Sequence, residues 1–259
     1  MKKLLLTTGL SGIIFLFFLC CWLSAQGEPW QIEKGRHFII YYQQAPSGYI
    51  SKVKSRAEQY YQKITDYLGF RRFNFWTWGN RCKIYLYPDR EEYLKGSHST
   101  AWSRGGVEII KKEIVTYVKE EQFLDYVLPH EMGHIIFREV VGFDKRLPLW
   151  LDEAVAVLQE KDRDRYLAVA RRLVREKQHM SIDELSRIRS YEQTLPLTLY
   201  SQAASIVEYL LKEFGRERFV NFCRRIRDGE HWRKALLKAY NFKDMEELER
   251  AWVNKILKF

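Results

Sequence analysis

The stretch His130-Glu131-Met132-Gly133-His134 decides the reading of this chain. On a helix, residues four apart lie one above the other on the same face, so ring nitrogens of His130 and His134 can converge on one ion with Glu131 beside it. The flanks support a helix there. Phe123-Leu124-Asp125-Tyr126-Val127-Leu128 and Ile135-Ile136-Phe137 are apolar at helical spacing, as a helix buried beneath a cleft should be. Two histidines can fall at this spacing by chance, and it is this apolar context that favours a metal site. A zinc ion held by three protein ligands keeps a fourth position for water, lowers that water's pKa toward about 7, and leaves a neighbouring carboxylate to take the proton. That chemistry is hydrolytic, and one Zn²⁺ per chain is the expected cofactor. Pro129 lacks an amide donor and clashes with the preceding turn, so the helix must start or bend there, with His130 in the first turn after a start.

The run Leu149-Trp150-Leu151-Asp152-Glu153-Ala154-Val155-Ala156 resembles the W-L-[ND]-E-[GA]-x-A segment that supplies the third ligand in gluzincin peptidases of the MA clan. Its distance from His134 matches the aminopeptidase branch and the small peptidase MA-like domains. Tyr200-Ser201-Gln202-Ala203-Ala204-Ser205-Ile206-Val207-Glu208-Tyr209-Leu210, followed by Phe214-Gly215, is similar to the helix that comes next in those domains. The resemblance implies that His130, His134 and Glu153 ligate zinc. It also implies that Glu131 activates the zinc-bound water and returns its proton to the leaving amine, and that Tyr200 hydrogen-bonds the oxyanion, where a preorganised donor contributes about 3 kcal/mol. The chain has sixteen tyrosines, most of them expected to be packing residues, so the role of Tyr200 rests on the resemblance. One departure concerns Val157, where some gluzincins carry an acid that orients a zinc-bound imidazole; no other residue suggests itself for that task. Asp152 points about 100° away from Glu153 on a helix and reads as an N-terminal helix charge or cap.

Upstream, Ser103-Arg104-Gly105-Gly106-Val107-Glu108-Ile109 stands where family members present a sheet edge to substrate. Gly105, Gly106 and Val107 are therefore expected to bind an extended peptide by main-chain pairing, the alternative being a plain turn at the two glycines. A partial likeness to the G-x-M-E-N element of gluzincin aminopeptidases puts Glu108 in the place of the acid that captures a free amine, with Val107 and Ile109 replacing Met and Asn. The expected function is an exported zinc-dependent peptidase acting on peptide or protein substrates. One alternative is an aminopeptidase using Glu108. Another is a non-catalytic, zinc-containing peptide-binding or membrane-surface module.

Lys2 and Lys3 followed by an apolar stretch from Leu4 to Leu23 read as a signal peptide or signal anchor over residues 1–27, with Ala25-Gln26-Gly27 offering a cleavage site. Left uncleaved, about twenty apolar residues suffice to span a bilayer. The product is expected to be periplasmic, secreted or membrane-anchored. Lipidation at Cys20 or Cys21 is not expected, because the short small-residue motif before them is missing. Cys82 and Cys223 remain after cleavage, and sequence leaves their pairing open. The net charge of +10 invites a nucleic-acid reading, but the basic residues alternate with acids and no nucleic-acid motif accompanies them. Arg171, Arg172, Arg175 and Lys177 with Arg224, Arg225 and Arg227 could instead offer a patch to an anionic membrane surface.

Residues 28–259 are expected to form one gluzincin-like domain, α/β over about 28–119 and helical over about 120–259. Arg36 to Tyr42 and Cys82 to Tyr87 read as strands, the second stopped by Pro88, with a helix from Ile50 to Leu68 between them that ends at Gly69. Val107–Ile110 and Ile114–Val118 read as a hairpin. Later helices are expected near 161–178, 199–214, 217–227 and 245–257, and Ser181 with Glu184 marks the start of a short one. The fold class is α+β, zincin-like, with an N-terminal mixed β-sheet, a mainly helical C-terminal half and the His130 helix at the cleft. His37, His98, His179 and His231 read as surface or packing residues, with His98 a remote candidate to line the cleft. Trp76 and Trp78, near Asn74, are candidates for an exposed aromatic loop.

Overall fold

In Cys82-Lys83-Ile84-Tyr85-Leu86-Tyr87 the apolar residues fall at every second position, and the strand they form, β3 (Cys82–Tyr87), buries Cys82, Ile84 and Leu86 on one face. The computed structural model describes residues 29–71, 73, 76–97 and 105–258. Around β3 lie β1 (Gln31–Lys34), β2 (Phe38–Tyr42), β4 (Gly105–Glu108) and β5 (Glu113–Tyr117), in the order β1-β2-β3-β5-β4. β2, β3 and β5 run parallel, and both outer strands are antiparallel to their neighbours, giving the mixed sheet. Phe38, Ile40, Ile84, Leu86 and Ile114 line its buried face. Across it packs α1 (Tyr49–Leu68), which buries Val53, Ala57, Ile64 and Leu68 at helical spacing. Gly69 closes α1 in the left-handed conformation (φ 81°) with its amide on the carbonyls of Asp66 and Thr65. The other face carries aromatic contacts, with Tyr41 stacked on Tyr85 at 4.7 Å and Trp30 edge-on to Tyr85 and Tyr87. The short α2 (Arg90–Ser97) covers one end of it through Tyr93.

From residue 120 onward the described elements are helical, so the α+β division holds. A π-helical turn over Phe123–Val127 runs into α3 (Leu128–Val141), with Pro129 in its first turn, where a missing amide costs nothing. α3 carries the histidine motif, and α4 (Leu149–Val157) carries Glu153. α5 (Arg163–Arg175), α6 (Ile182–Leu185), α7 (Pro196–Phe214), α8 (Arg216–Arg227), α9 (Trp232–Tyr240) and α10 (Met245–Leu257) complete the chain. Ser181 and Glu184 form the capping box that the sequence suggests. α7 is the central helix of this half. Its small buried residues Ser201, Ala203, Ala204 and Ser205 let neighbouring helices approach, and Ser205 accepts the indole N–H of Trp252 at 3.0 Å.

Several expectations change in detail. The first strand is β2 alone, and Gln31–Lys34 adds an edge strand whose mostly exposed, polar composition hides it in sequence. The hairpin is two residues earlier on its first arm, with the turn at 109–112 and Lys112 at φ 56°. Cys82 and Cys223 are both buried and free. Trp76 is buried against Phe38 and Tyr61, while Trp78 is 83% exposed, so the two do not form one aromatic loop; Asn74 lies outside the described residues. The basic residues divide as well. Arg224 and Arg225 line a groove of about 730 Å³ with Arg71 and Arg216, whereas Arg171 lines a different one with Lys212 and Lys255. The segment 1–27, Ser103, Arg104 and His98 also fall outside the described residues. Among the described residues, no helix is long and apolar enough to cross a membrane.

Candidate metal centre

Gly133 makes the site possible. A side chain there would place its Cβ 2.8 Å from Cα of Ala156 and 3.4 Å from the carbonyl of Val155. Glycine lets α3 and α4 lie in direct backbone contact, which brings the carboxylate of Glu153 to the two imidazoles one helical turn apart on α3. His130 Nε2 and His134 Nε2 lie 3.2 Å apart. Glu153 Oε2 is 3.6 Å from the first, and Oε1 is 3.6 Å from the second. A tetrahedral ion with nitrogen and oxygen ligands at roughly 2.0–2.1 Å sets its ligand atoms roughly 3.3 Å apart, so the cluster has the size a metal requires. Among the described residues these three are the group whose ligand atoms lie close enough together to hold a metal ion, with His134 and Glu153 buried. Glu153 Oε2 is a buried carboxylate oxygen without a hydrogen-bond partner, 3.6 Å from His130 Nε2, and its charge calls for a positive partner there, which an imidazolium or a metal ion supplies. The donor set therefore fits a metal ion.

Each imidazole is held from behind. His130 Nδ1 meets Glu160 Oε1 at 2.7 Å, and the other oxygen of Glu160 accepts from the Tyr166 hydroxyl at 3.2 Å. His134 Nδ1 faces Asp152 Oδ1 at 3.5 Å, an ion-pair separation in which neither atom has a hydrogen-bond partner, and Arg138 donates twice to Oδ2 of Asp152, at 2.7 and 3.1 Å. A carboxylate at Nδ1 keeps the proton on that nitrogen and turns Nε2 toward the ion. Sequence reasoning found no residue for this task at Val157, and Val157 is indeed packed in the core. The carboxylate comes instead from Glu160: past α4 the chain continues through turns closed by the Gln159 amide on the Ala156 carbonyl and the Glu160 amide on the Val157 carbonyl, and Glu160 meets α3 at His130. Asp152 stands in the first turn of α4 as expected, but also reaches the second histidine. No local signal marks Glu160, because α4 ends before it and its spacing from Glu153 is not two turns of one helix.

Electrostatics follow the geometry. Burial opposes charge on His130, but its contacts with Glu153 and Glu160 outweigh that and push its pKa up to about 10. His134 is likewise shifted upward, against the effect of burial, by Asp152. Burial would raise both Asp152 and Glu153, yet the imidazoles, together with Arg138 for the first and Tyr191 for the second, hold both carboxyls below their ordinary range. Glu131 goes the other way. Burial raises its pKa even though His130 and His134 pull downward, which leaves a carboxyl better suited to receive a proton than an exposed one.

Tyr200 lies on α7 at this cluster, its ring centroid 6.3 Å from that of His130, and burial raises its pKa far above the ordinary phenol range. Tyr191 and Tyr166 lie edge-on around it, each 6.3 Å away. Tyr191 was not singled out in sequence, but its hydroxyl donates to Glu153 Oε1 at 2.7 Å. Gly105, Gly106 and Val107 form β4, an outer strand of the described sheet. Gly105 packs close to Val127 at the entry of α3, while a Cβ on Gly106 would meet nothing within 4 Å. The two glycines therefore belong to a strand and not to a turn. Glu108 is exposed at the far end of β4, opposite Glu113.

A family model described as the peptidase MA superfamily matches residues 79–258 of this chain. That span takes in β3, β4, the histidine motif, Glu153 and α7, and the chain belongs to this superfamily, with a peptidase-like domain. Comparison with curated proteins finds no match.

Proposed function

We propose that this chain is an exported zinc-dependent peptidase that hydrolyses peptide bonds in extended substrates. The observation that carries the reading is the convergence of His130 Nε2, His134 Nε2 and Glu153 Oε2 within one cluster, with Glu131 close enough that both imidazoles pull its pKa downward. A zinc ion held there supplies a Lewis acid that acidifies a water and polarises a carbonyl. Glu131 acts as general base toward the attacking water and then, as general acid, hands the proton to the leaving amine. Glu160 and Asp152 keep His130 and His134 in the tautomer that offers Nε2. Tyr200 donates a hydrogen bond to the oxyanion that grows on the carbonyl oxygen, where a fixed donor is worth about 3 kcal/mol. Gly105, Gly106 and Val107 on β4 pair with the substrate backbone, and the open space at Gly106 favours close approach.

Export is supported by the sequence of residues 1–27, which has the basic start, apolar stretch and small residues of a signal segment. The decisive experiment is metal analysis of chain purified without chelator, together with cleavage of extended peptide libraries with and without chelator. About one zinc per chain and chelator-sensitive cleavage are expected. Metal-free protein, or peptide binding without cleavage and insensitive to chelator, would overturn the reading.

A further inference from the structure

Glu153 presents its two oxygens to the cluster almost symmetrically. Oε1 lies 3.6 Å from His134 Nε2 and Oε2 lies 3.6 Å from His130 Nε2. A free carboxylate so placed can bind an ion through either oxygen or through both. One contact breaks the symmetry. The Tyr191 hydroxyl donates to Oε1 at 2.7 Å, whereas Oε2 is buried with no hydrogen-bond partner. Tyr191 comes from outside the helices that build the centre, in the turn Tyr191–Gln193 between α6 and α7. That turn is braced by the Gln193 side-chain oxygen, which accepts the amides of Arg189 and Ser190. The ring itself is 46% exposed and stands edge-on to Tyr200.

We propose that Tyr191 is a positioning residue of the metal centre: by occupying Oε1 it fixes the rotation of the Glu153 carboxylate, so that Oε2 alone is offered to the ion. This rests on the metal reading of His130, His134 and Glu153. The physical cause is directional. A phenol donor draws electron density from one oxygen and pins the carboxylate plane, which lowers the entropy lost when the ion binds and disfavours chelation through both oxygens.

The test is Tyr191→Phe in the full chain, which removes one oxygen from a half-exposed ring and leaves its packing in place. Zn²⁺ affinity is measured by competition with a chromophoric chelator, and the visible spectrum of the Co²⁺ form reports coordination. Roughly 10-fold weaker binding, the lower end of what outer partners of metal ligands contribute, is expected, with a changed cobalt band. Tyr209→Phe, on the same helix as Tyr200 but packed on Phe214 outside the metal cluster, is expected to match wild type in both. Circular dichroism of the metal-free variants checks that the fold is common to all three. Wild-type affinity and spectrum in Tyr191→Phe, or equal changes in both variants, would overturn the role of Tyr191. If wild-type chain itself binds no metal, the metal reading fails first and separately.

Discussion

The metal cluster and the β4 edge are both glycine-dependent, but for opposite reasons. At Gly133 the absent side chain is filled by another helix, with Ala156 Cα 2.8 Å from where a Cβ would stand; at Gly106 the corresponding space is empty to 4 Å. One glycine serves packing inside the protein, and the other stands at an open strand edge. The difference teaches where tolerance lies. On the proposed reading the chemistry sits in a close-packed wall of α3 and α4 that cannot shift without losing its geometry, whereas Gly106 at the strand edge can vary without touching the wall.

Changes in the wall should have the largest effects. Glu131→Gln keeps every ligand but removes the base, so hydrolysis should fall by about 10²–10⁴-fold while zinc content stays near one per chain; equal activity per zinc would show that the wall does not carry the chemistry. Gly133→Val must push α3 from α4. It should destabilise the fold by about 1–3 kcal/mol and lower metal content, seen as a reduced thermal midpoint and substoichiometric zinc. Glu160→Gln should leave the fold intact and weaken zinc affinity by roughly 10-fold, because a neutral amide holds the His130 tautomer less firmly. A variant with undiminished affinity in chelator competition would put the support for His130 elsewhere.

At the edge the expectation reverses. A Cβ at Gly106 meets no neighbour within 4 Å, so for Gly106→Val the thermal midpoint and zinc content should equal wild type, while kcat/KM for an extended peptide loses most of its value through a higher KM. Normal turnover in that folded, zinc-loaded protein would remove β4 from substrate binding and dissolve the comparison. The smallest effect concerns protons. With His130 raised to about 10 in the metal-free chain, its ordinary value being 6.5, its charged form stabilises the fold fully below about 6.5, and that contribution is lost as pH rises through about 10. Metal needs the opposite state. Between pH 7 and 10 the metal-free thermal midpoint should fall while zinc affinity rises, and calorimetry in buffers of different ionisation enthalpy should show about one to two protons released per zinc at pH 7, from His130 and from His134, which is also shifted upward.

Sequence by itself determined the elements whose side chains repeat at a fixed period or sit in a motif. The alternation in Cys82 to Tyr87, the helical spacing from Ile50 to Leu68 with its closing Gly69, and the capping box at Ser181 and Glu184 all reappear in the structure, because each depends on neighbours within a few residues. His130 and His134 belong with them, since one helical turn suffices to bring them together. Elements with little periodic signal, such as the polar edge strand Gln31–Lys34 and the helix Arg90–Ser97 with its single buried residue, were not legible. Only tertiary structure decided what stands behind the ligands. Glu160 reaches His130 through the turns that follow α4, Asp152 comes to His134 because Gly133 lets two helices touch, and Tyr191 reaches Glu153 from 38 positions further along the chain. Contacts made by folding leave no local pattern, for their energy comes from desolvated pairing between distant segments and not from the spacing of residues along one.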